Sequence, residues 1–338
     1  MSHATRKPVA VICGATAGIG RATALEFARA GYQLGILARD EKALDETRQE
    51  LEAEGARVLA IPVDVAEDEQ VYAAADRFEG ELGPIEVWVN SAMATVFGPA
   101  IELKPSELRR VTDVTYHGFV HGTLAALRHM QPRDRGTIVQ VGSALSYRAI
   151  PLQSAYCAAK FAIRGFTDSL RCELLHQNSK VRLTMVQLPA HNTPQFDWSR
   201  NNMEERPQPV PPIYEPEVAA RAILKAARQA PRELWVGKAS FQSIIGNMVM
   251  PGLLDRMLAR QAWDGQMSGN PAERRPDNLE EPVTNVHRTH GRFDEEAKSK
   301  ALSLSSTTTR LILGGTALGL AAAATLAGAA LRGVSRNR

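Results

Sequence analysis

Short apolar runs alternate with longer amphipathic stretches over the first 190 residues. Val9–Cys13 is an unbroken apolar run and predicts a buried strand. Arg21–Ala30 has helical periodicity and stops at Gly31. Gln33–Ala38 predicts a second strand, followed by a charged helix over Lys42–Glu54 that stops at Gly55. Val58–Val63 is a third strand, Asp68–Leu82 a helix, Glu86–Val89 a fourth strand and Ser106–Met130 a long helix. Thr137–Val141 and Arg182–Gln187 read as strands on either side of a helix over Ser154–His176. Pro216–Arg228 reads as a helix and Glu233–Val236 as a last short strand. Repeated βα units of this length specify an α/β, doubly wound parallel sheet with helices on both faces. The pattern predicts one catalytic-sized domain over residues 1–260 with a C-terminal extension.

The rhythm lapses between Pro189 and Pro216. Pro207, Pro209, Pro211 and Pro212 stiffen a loop that follows Phe196 and Trp198, two aromatics placed either to line a pocket or to pack the loop. Ile244–Leu258 is apolar and holds Met248, Met250 and Met257, a pattern suited to core or subunit contact. Residues 264–309 are polar and read as a linker. Leu311–Leu331 follows without a single charge; as a helix it measures about 31 Å, the depth of a bilayer core. Gly315 and Gly319 favour close helix packing there. This segment predicts a transmembrane or shallowly inserted helix and membrane contact, with the catalytic domain on the cytoplasmic side. Arg332, Arg336 and Arg338 beyond it run against the positive-inside tendency, which favours shallow insertion.

Composition narrows the class. Hydrophobic residues make up 44% and charged residues 23%, an ordinary globular balance that excludes a disordered chain. The formal charge is +3, and the tail from Arg310 onward holds four arginines and no acid. The rest of the chain is therefore near neutral, which excludes a basic nucleic-acid binder. Cys13, Cys157 and Cys172 are too few and too scattered for a disulfide framework or a zinc site. They read as small buried residues in a reduced compartment. His117, His121, His129 and His191 show no metal-ligand spacing, so no metal is expected. Met1–Pro8 is polar and the apolar run after it is too short for a signal peptide.

The first predicted strand runs into Gly14-Ala15-Thr16-Ala17-Gly18-Ile19-Gly20, where glycines let backbone N–H groups approach a pyrophosphate at a helix N-terminus. The second strand ends at Ala38-Arg39-Asp40. Arg39 offers a guanidinium fork to the 2′-phosphate of NADP; Asp40 could instead bind the ribose of NAD, and the balance favours NADP. Tyr156 and Lys160 stand four apart on one predicted helix and share a face. Ser143 lies at the carboxyl end of a strand, where open α/β sheets bind ligands.

These pieces resemble the short-chain dehydrogenases/reductases over about residues 7–240: the Gly14–Gly20 loop, Asp64, Asn90-Ser91-Ala92, Ser143, Tyr156 and Lys160. The resemblance implies a Rossmann fold and an NADP-dependent oxidoreductase that moves a hydride between nicotinamide and a carbonyl or alcohol; the mobile loop and the apolar tail lead to the expectation of a hydrophobic substrate. It implies that Asp64 and Val65 contact the adenine, that Asn90 supports the strand beside the cofactor, and that Pro189 and Thr193 close over the nicotinamide. Tyr156 would exchange a proton with the substrate oxygen, its pKa pulled down by Lys160. Ser143 would hold the same oxygen, and Lys160 the nicotinamide ribose. A homo-oligomer is expected.

Three positions depart from the family. Thr115 stands where an asparagine usually serves a water relay, and a hydroxyl there is expected to hold the water instead. Met93 and Ala190 replace glycines. A catalytically silent nucleotide-binding scaffold at a membrane is the alternative these departures raise; the joint presence of Ser143, Tyr156 and Lys160 favours the enzyme.

Overall fold

A computed structural model describes residues 6–284 and 286–316. The chain opens with β1 (Val9–Cys13), α1 (Gly18–Arg29), β2 (Gln33–Ala38), α2 (Glu41–Ala53), β3 (Val58–Pro62), α3 (Asp68–Glu81) and β4 (Ile85–Asn90). All of these fall within a few residues of the boundaries the hydrophobic pattern predicts. All five residues of β1 are buried. Ala10 and Ile12 face one core and Val9, Val11 and Cys13 the other. A strand covered on both faces has no polar side to show, so its period of two is invisible in the sequence.

Eight strands form one sheet, in the order Ser303–Ser305, Glu233–Val236, Arg182–Leu188, Thr137–Ser143, β4, β1, β2, β3. Every pairing is parallel except that of Ser303–Ser305 with Glu233–Val236. The winding reverses between β1 and β4, which opens a crevice at their carboxyl ends where such sheets bind ligands.

Helices Pro105–Thr112 and Gly118–Met130 are joined through a π turn at Asp113–His117, so the predicted long helix is continuous but locally underwound. The helix Ser154–His176 is 23 residues long and carries Tyr156 and Lys160 in its first two turns.

The C-terminal third departs from expectation. Residues 264–309, expected as a polar linker, are bound to the body along their length. Met267–Pro271 pairs with Glu205–Pro207, and Ser303–Ser305 completes the edge of the main sheet. Phe293 is buried against Phe196 with ring centres 5.7 Å apart. Polarity misleads here because the segment is held by backbone pairing and ion pairs around a few apolar anchors.

The expectation of a transmembrane helix and of membrane contact through 311–331 is overturned. Among the described residues no helix is long and apolar enough to cross a membrane. A helix covers 306–316; the remainder of the predicted span, from 317 on, lies outside the described residues. Cys13 and Cys157 are buried as expected, whereas Cys172 is exposed.

Candidate active site

Gly14 sits at the winding reversal with a positive φ of 79°, and a Cβ there would lie 2.8 Å from the Ala92 Cα. A Cβ on Gly20 would lie 1.9 Å from the Gly14 carbonyl oxygen. Both positions require glycine because the loop folds onto itself and against the end of β4. The result is an open approach to the N-terminus of α1.

One cavity of about 610 Å³ extends from this loop across the carboxyl ends of the strands. All of the predicted site residues except Asn90 and Thr115 line it. At one end are Thr16, Arg39, Asp64 and Val65, with Gly18, Ile19 and Gly20 in the middle. Ser143, Tyr156, Lys160, Pro189 and Thr193 stand at the other end. Phe196 and Trp198 also face the cavity, as do Met93 and Ala190.

Ser143 is the last residue of its strand and lies beside Tyr156, whose phenol pKa it pulls down against the larger effect of burial. The Ser143 Oγ accepts from the Leu145 N–H at 3.1 Å, which fixes its rotamer. Without a cofactor, desolvation by burial pushes the phenol pKa of Tyr156 up. Lys160 Nζ donates to the Val141 carbonyl at 2.8 Å and stands 5.5 Å from the centre of the Tyr156 ring. Among the described residues Lys160 has no carboxylate partner, and burial brings its pKa down to about 7.

Thr115 is not a cavity residue. It is fully buried; its Oγ1 donates to the Ala94 carbonyl and accepts from the Ala94 N–H, both at 2.9 Å. The one hydroxyl proton is spent on the backbone, so Thr115 clamps the loop after β4 and carries no proton to the site. Asn90 is likewise withdrawn from the cavity. Its side chain bonds Trp88, Thr123, Gln140 and the Phe119 carbonyl, tying β4 to the helix behind it.

Tyr147 is the other buried tyrosine nearby. Its hydroxyl donates to the carboxylate of Glu233, which also accepts from Trp235 Nε1 at 2.8 Å. This phenol is committed to a structural network and does not line the cavity.

Arg39 is engaged in a way the sequence did not indicate. Its guanidinium donates to the carbonyls of Asn278, Leu279 and Glu280, on the supposed linker. Asn278, Pro282, Val283 and His287 from the same segment complete the cavity wall. Leu254, Met257 and Leu258 contribute an apolar wall from the helix Pro251–Asp264. Met257 and Leu258 lie in the apolar stretch singled out as a core or subunit contact and line the cavity instead. The residues of the supposed linker carried no readable signal: a lone histidine in a polar stretch has no periodicity to mark which way it faces.

The cavity suits a dinucleotide on grounds of its own chemistry. At each end it has a buried imidazole nitrogen with no partner among the described residues, Nε2 of His191 and Nε2 of His287. His191 Nδ1 lies 2.9 Å from the Pro189 carbonyl and so carries the proton, while burial lowers its pKa to about 4. Its Nε2 is therefore a fixed acceptor.

The model of the short chain dehydrogenase family matches residues 8–204. An oxidoreductase of Bacillus subtilis, YxnA, is 32% identical over 272 residues, 80% of this chain and 76% of the relative. A 3-dehydrosphinganine reductase of Danio rerio is 29% identical over 65% of this chain and 68% of its own. Among solved structures, an alcohol dehydrogenase of Thermococcus sibiricus complexed with 5-hydroxy-NADP superposes with a TM-score of 0.59 at 26% identity, over 68% of this chain and 95% of that one. A metagenomic short-chain oxidoreductase in complex with NADP gives 0.56 at 25% identity, over 66% and 91%. The glycine crevice, the Ser143–Tyr156 pair and these likenesses agree: the chain belongs to the short chain dehydrogenase family and is an NADP-dependent oxidoreductase acting on CH–OH groups.

Proposed function

We propose that the chain works as a reductase of apolar ketones, with Tyr156 giving the proton to the forming alcohol. The observation that carries this is that Ser143, Tyr156 and Lys160 together line the cavity that also takes in the glycine loop. Burial pushes the phenol pKa of Tyr156 up, which favours its neutral form. A neutral phenol is an acid before it is a base, so it suits the step in which a carbonyl oxygen gains a proton. When bound, NADPH supplies the hydride to the carbonyl carbon. Ser143 holds the substrate oxygen, and Tyr156 passes its proton to that oxygen as charge develops on it. Lys160 is placed to replenish the phenol and to bond the nicotinamide ribose. Asp64 and Val65 are assigned to the adenine, and Pro189 and Thr193 to the nicotinamide.

The apolar class rests on Ile150, Phe196, Leu254, Met257 and Leu258 around the catalytic end. A relative named 3-dehydrosphinganine reductase supports it. Residues 1–260 are assigned to the catalytic unit, which the segment after 264 completes. The test follows NADPH absorbance with purified protein across a series of ketones of rising chain length. Rising kcat/KM with chain length supports the reading; a preference for short polar carbonyls overturns the substrate class.

A further inference from the structure

After Asp264 the chain returns along the whole cavity as a strap. Asn278–Glu280 lies over Arg39, and Arg21 donates to the His287 carbonyl at 3.1 Å. The Gly18 N–H donates to the Arg288 carbonyl at 3.0 Å. Gly291 then bonds the backbone of Asn192, and the Asn192 amide bonds Asp294 at 2.6 Å. Arg288 and Arg292 both pair with Asp197. The strap walls the cavity without filling it, because the 610 Å³ remain between it and the glycine loop.

His287 is the strap residue that points inward. Its side chain is nine-tenths buried, with Nδ1 3.1 Å from Thr16 Oγ1 and the ring packed against Trp198. In the tautomer in which the Thr16 hydroxyl donates to Nδ1, the imidazole proton sits on Nε2. That nitrogen has no partner, and the nearest carboxylate oxygen, Asp40 Oδ2, is 3.9 Å away, beyond hydrogen-bond reach. An unpaired buried donor is costly unless a ligand satisfies it. Arg39 stands at the same corner, and three of its N–H contacts already go to strap carbonyls, so the strap also fixes where its remaining donors lie. With the Thr16 proton spent on Nδ1, the imidazole N–H and the guanidinium at this part of the pocket form the donor pair for a phosphate monoester.

We propose that His287, delivered by the strap from outside the parallel βα units, is a ligand of the NADP 2′-phosphate and helps select NADP over NAD. This rests on the NADP-dependent reading of the site. The phosphate dianion supplies the acceptor that His287 Nε2 lacks. The strap is then part of the cofactor site, closed by the cofactor it holds.

The test is equilibrium binding of NADPH and of NADH to the full chain, read by cofactor fluorescence, for wild type, His287→Ala and His287→Gln. Hydrogen exchange over 278–284 is followed with each cofactor, and melting without cofactor checks the fold. His287→Ala should weaken NADPH about 10- to 100-fold, the scale of a charged hydrogen bond. NADH affinity should change less than about twofold on the same scale. His287→Gln, which keeps an N–H donor, should recover part of the loss. NADPH should slow exchange over 278–284 more than NADH does. Equal losses for both cofactors, or no loss, overturn the assignment. Tighter binding on substitution, or faster exchange with NADPH, also overturns it and makes the strap a plug. A wild type that binds neither cofactor overturns the NADP reading itself, a failure distinct from one confined to His287.

Discussion

Lys160 Nζ lies 2.8 Å from the Val141 carbonyl and 5.5 Å from the centre of the Tyr156 ring, so the ammonium is anchored to the strand that ends at Ser143. The strand therefore positions both of the phenol's neighbours: Ser143 directly, and Lys160 through its backbone two residues earlier. Burial pushes the phenol pKa up and brings that of the lysine down to about 7, so the two groups are brought toward each other in acidity.

Replacing Tyr156 by Phe keeps the ring and removes the transferable proton. Turnover with NADPH and a ketone should fall by at least ~10²-fold, the usual general acid contribution. NADPH affinity should be unchanged. Tyr147→Phe is the control that separates the roles of Tyr147 and Tyr156. It removes a donor from the buried Glu233 carboxylate and should cost about 1.5–3 kcal/mol of stability with turnover intact. Turnover lost with Tyr147→Phe and kept with Tyr156→Phe would exchange their roles.

Burial lowers the Lys160 pKa to about 7 from the 10.5 of an exposed lysine. Above the folded value the native state has released a proton that the unfolded chain still holds. Stability therefore rises with pH between about 7 and 10.5, because the unfolded state binds more protons there. Melting temperatures measured from pH 6.5 upward should climb more steeply for wild type than for Lys160→Met, which has no proton to lose. Parallel profiles would mean that Lys160 titrates normally. The same variant should lose turnover.

The nucleotide half of the site was legible from the chain, and the reasons are local. Gly14, Gly18 and Gly20 follow a run of apolar residues, and each position has a steric demand that only glycine meets. Tyr156 and Lys160 share a helix, so their spacing alone puts them on one face. Thr115 and Asn90 stand outside the cavity for one reason: their side chains turn toward backbone and network partners that no spacing reveals, and those of Asn90 give the strand support expected of it. The strap was missed because its contacts are long-range. Arg39 meets carbonyls some 240 positions away, and a backbone carbonyl carries no sequence signature. The edge strand Ser303–Ser305 is three residues long, too short for an alternation to register.

Arg39 joins the cofactor corner to the strap, so its removal has two effects. Arg39→Ala should weaken NADPH by about 1.5–3 kcal/mol, as expected for a charged hydrogen bond, and NADH much less. It should also free the carbonyls of Asn278–Glu280 and speed hydrogen exchange there without any cofactor. Equal loss for both cofactors would assign Arg39 to strap anchoring alone. Faster exchange without a cofactor preference would point the same way.

Phe293 tests whether the strap opens as a unit. It is buried beside Phe196, Phe97 and Ile213, in a small cluster apart from the two cores that flank the sheet. Phe→Ala in a core typically costs about 3–5 kcal/mol. If the strap opens independently of the sheet, that cost falls on strap closure and not on global unfolding. Phe293→Ala should then leave the melting temperature of the cofactor-free protein nearly unchanged. NADPH affinity should drop, because binding must also supply the free energy to close the strap. Hydrogen exchange should quicken in 278–284 while β1 and β4 stay protected. A melting temperature lowered by the full core cost, with exchange rising evenly across the sheet, would show instead that strap and sheet unfold together. The strap would then be a fixed wall, and cofactor would have to enter past the apolar helix Pro251–Asp264.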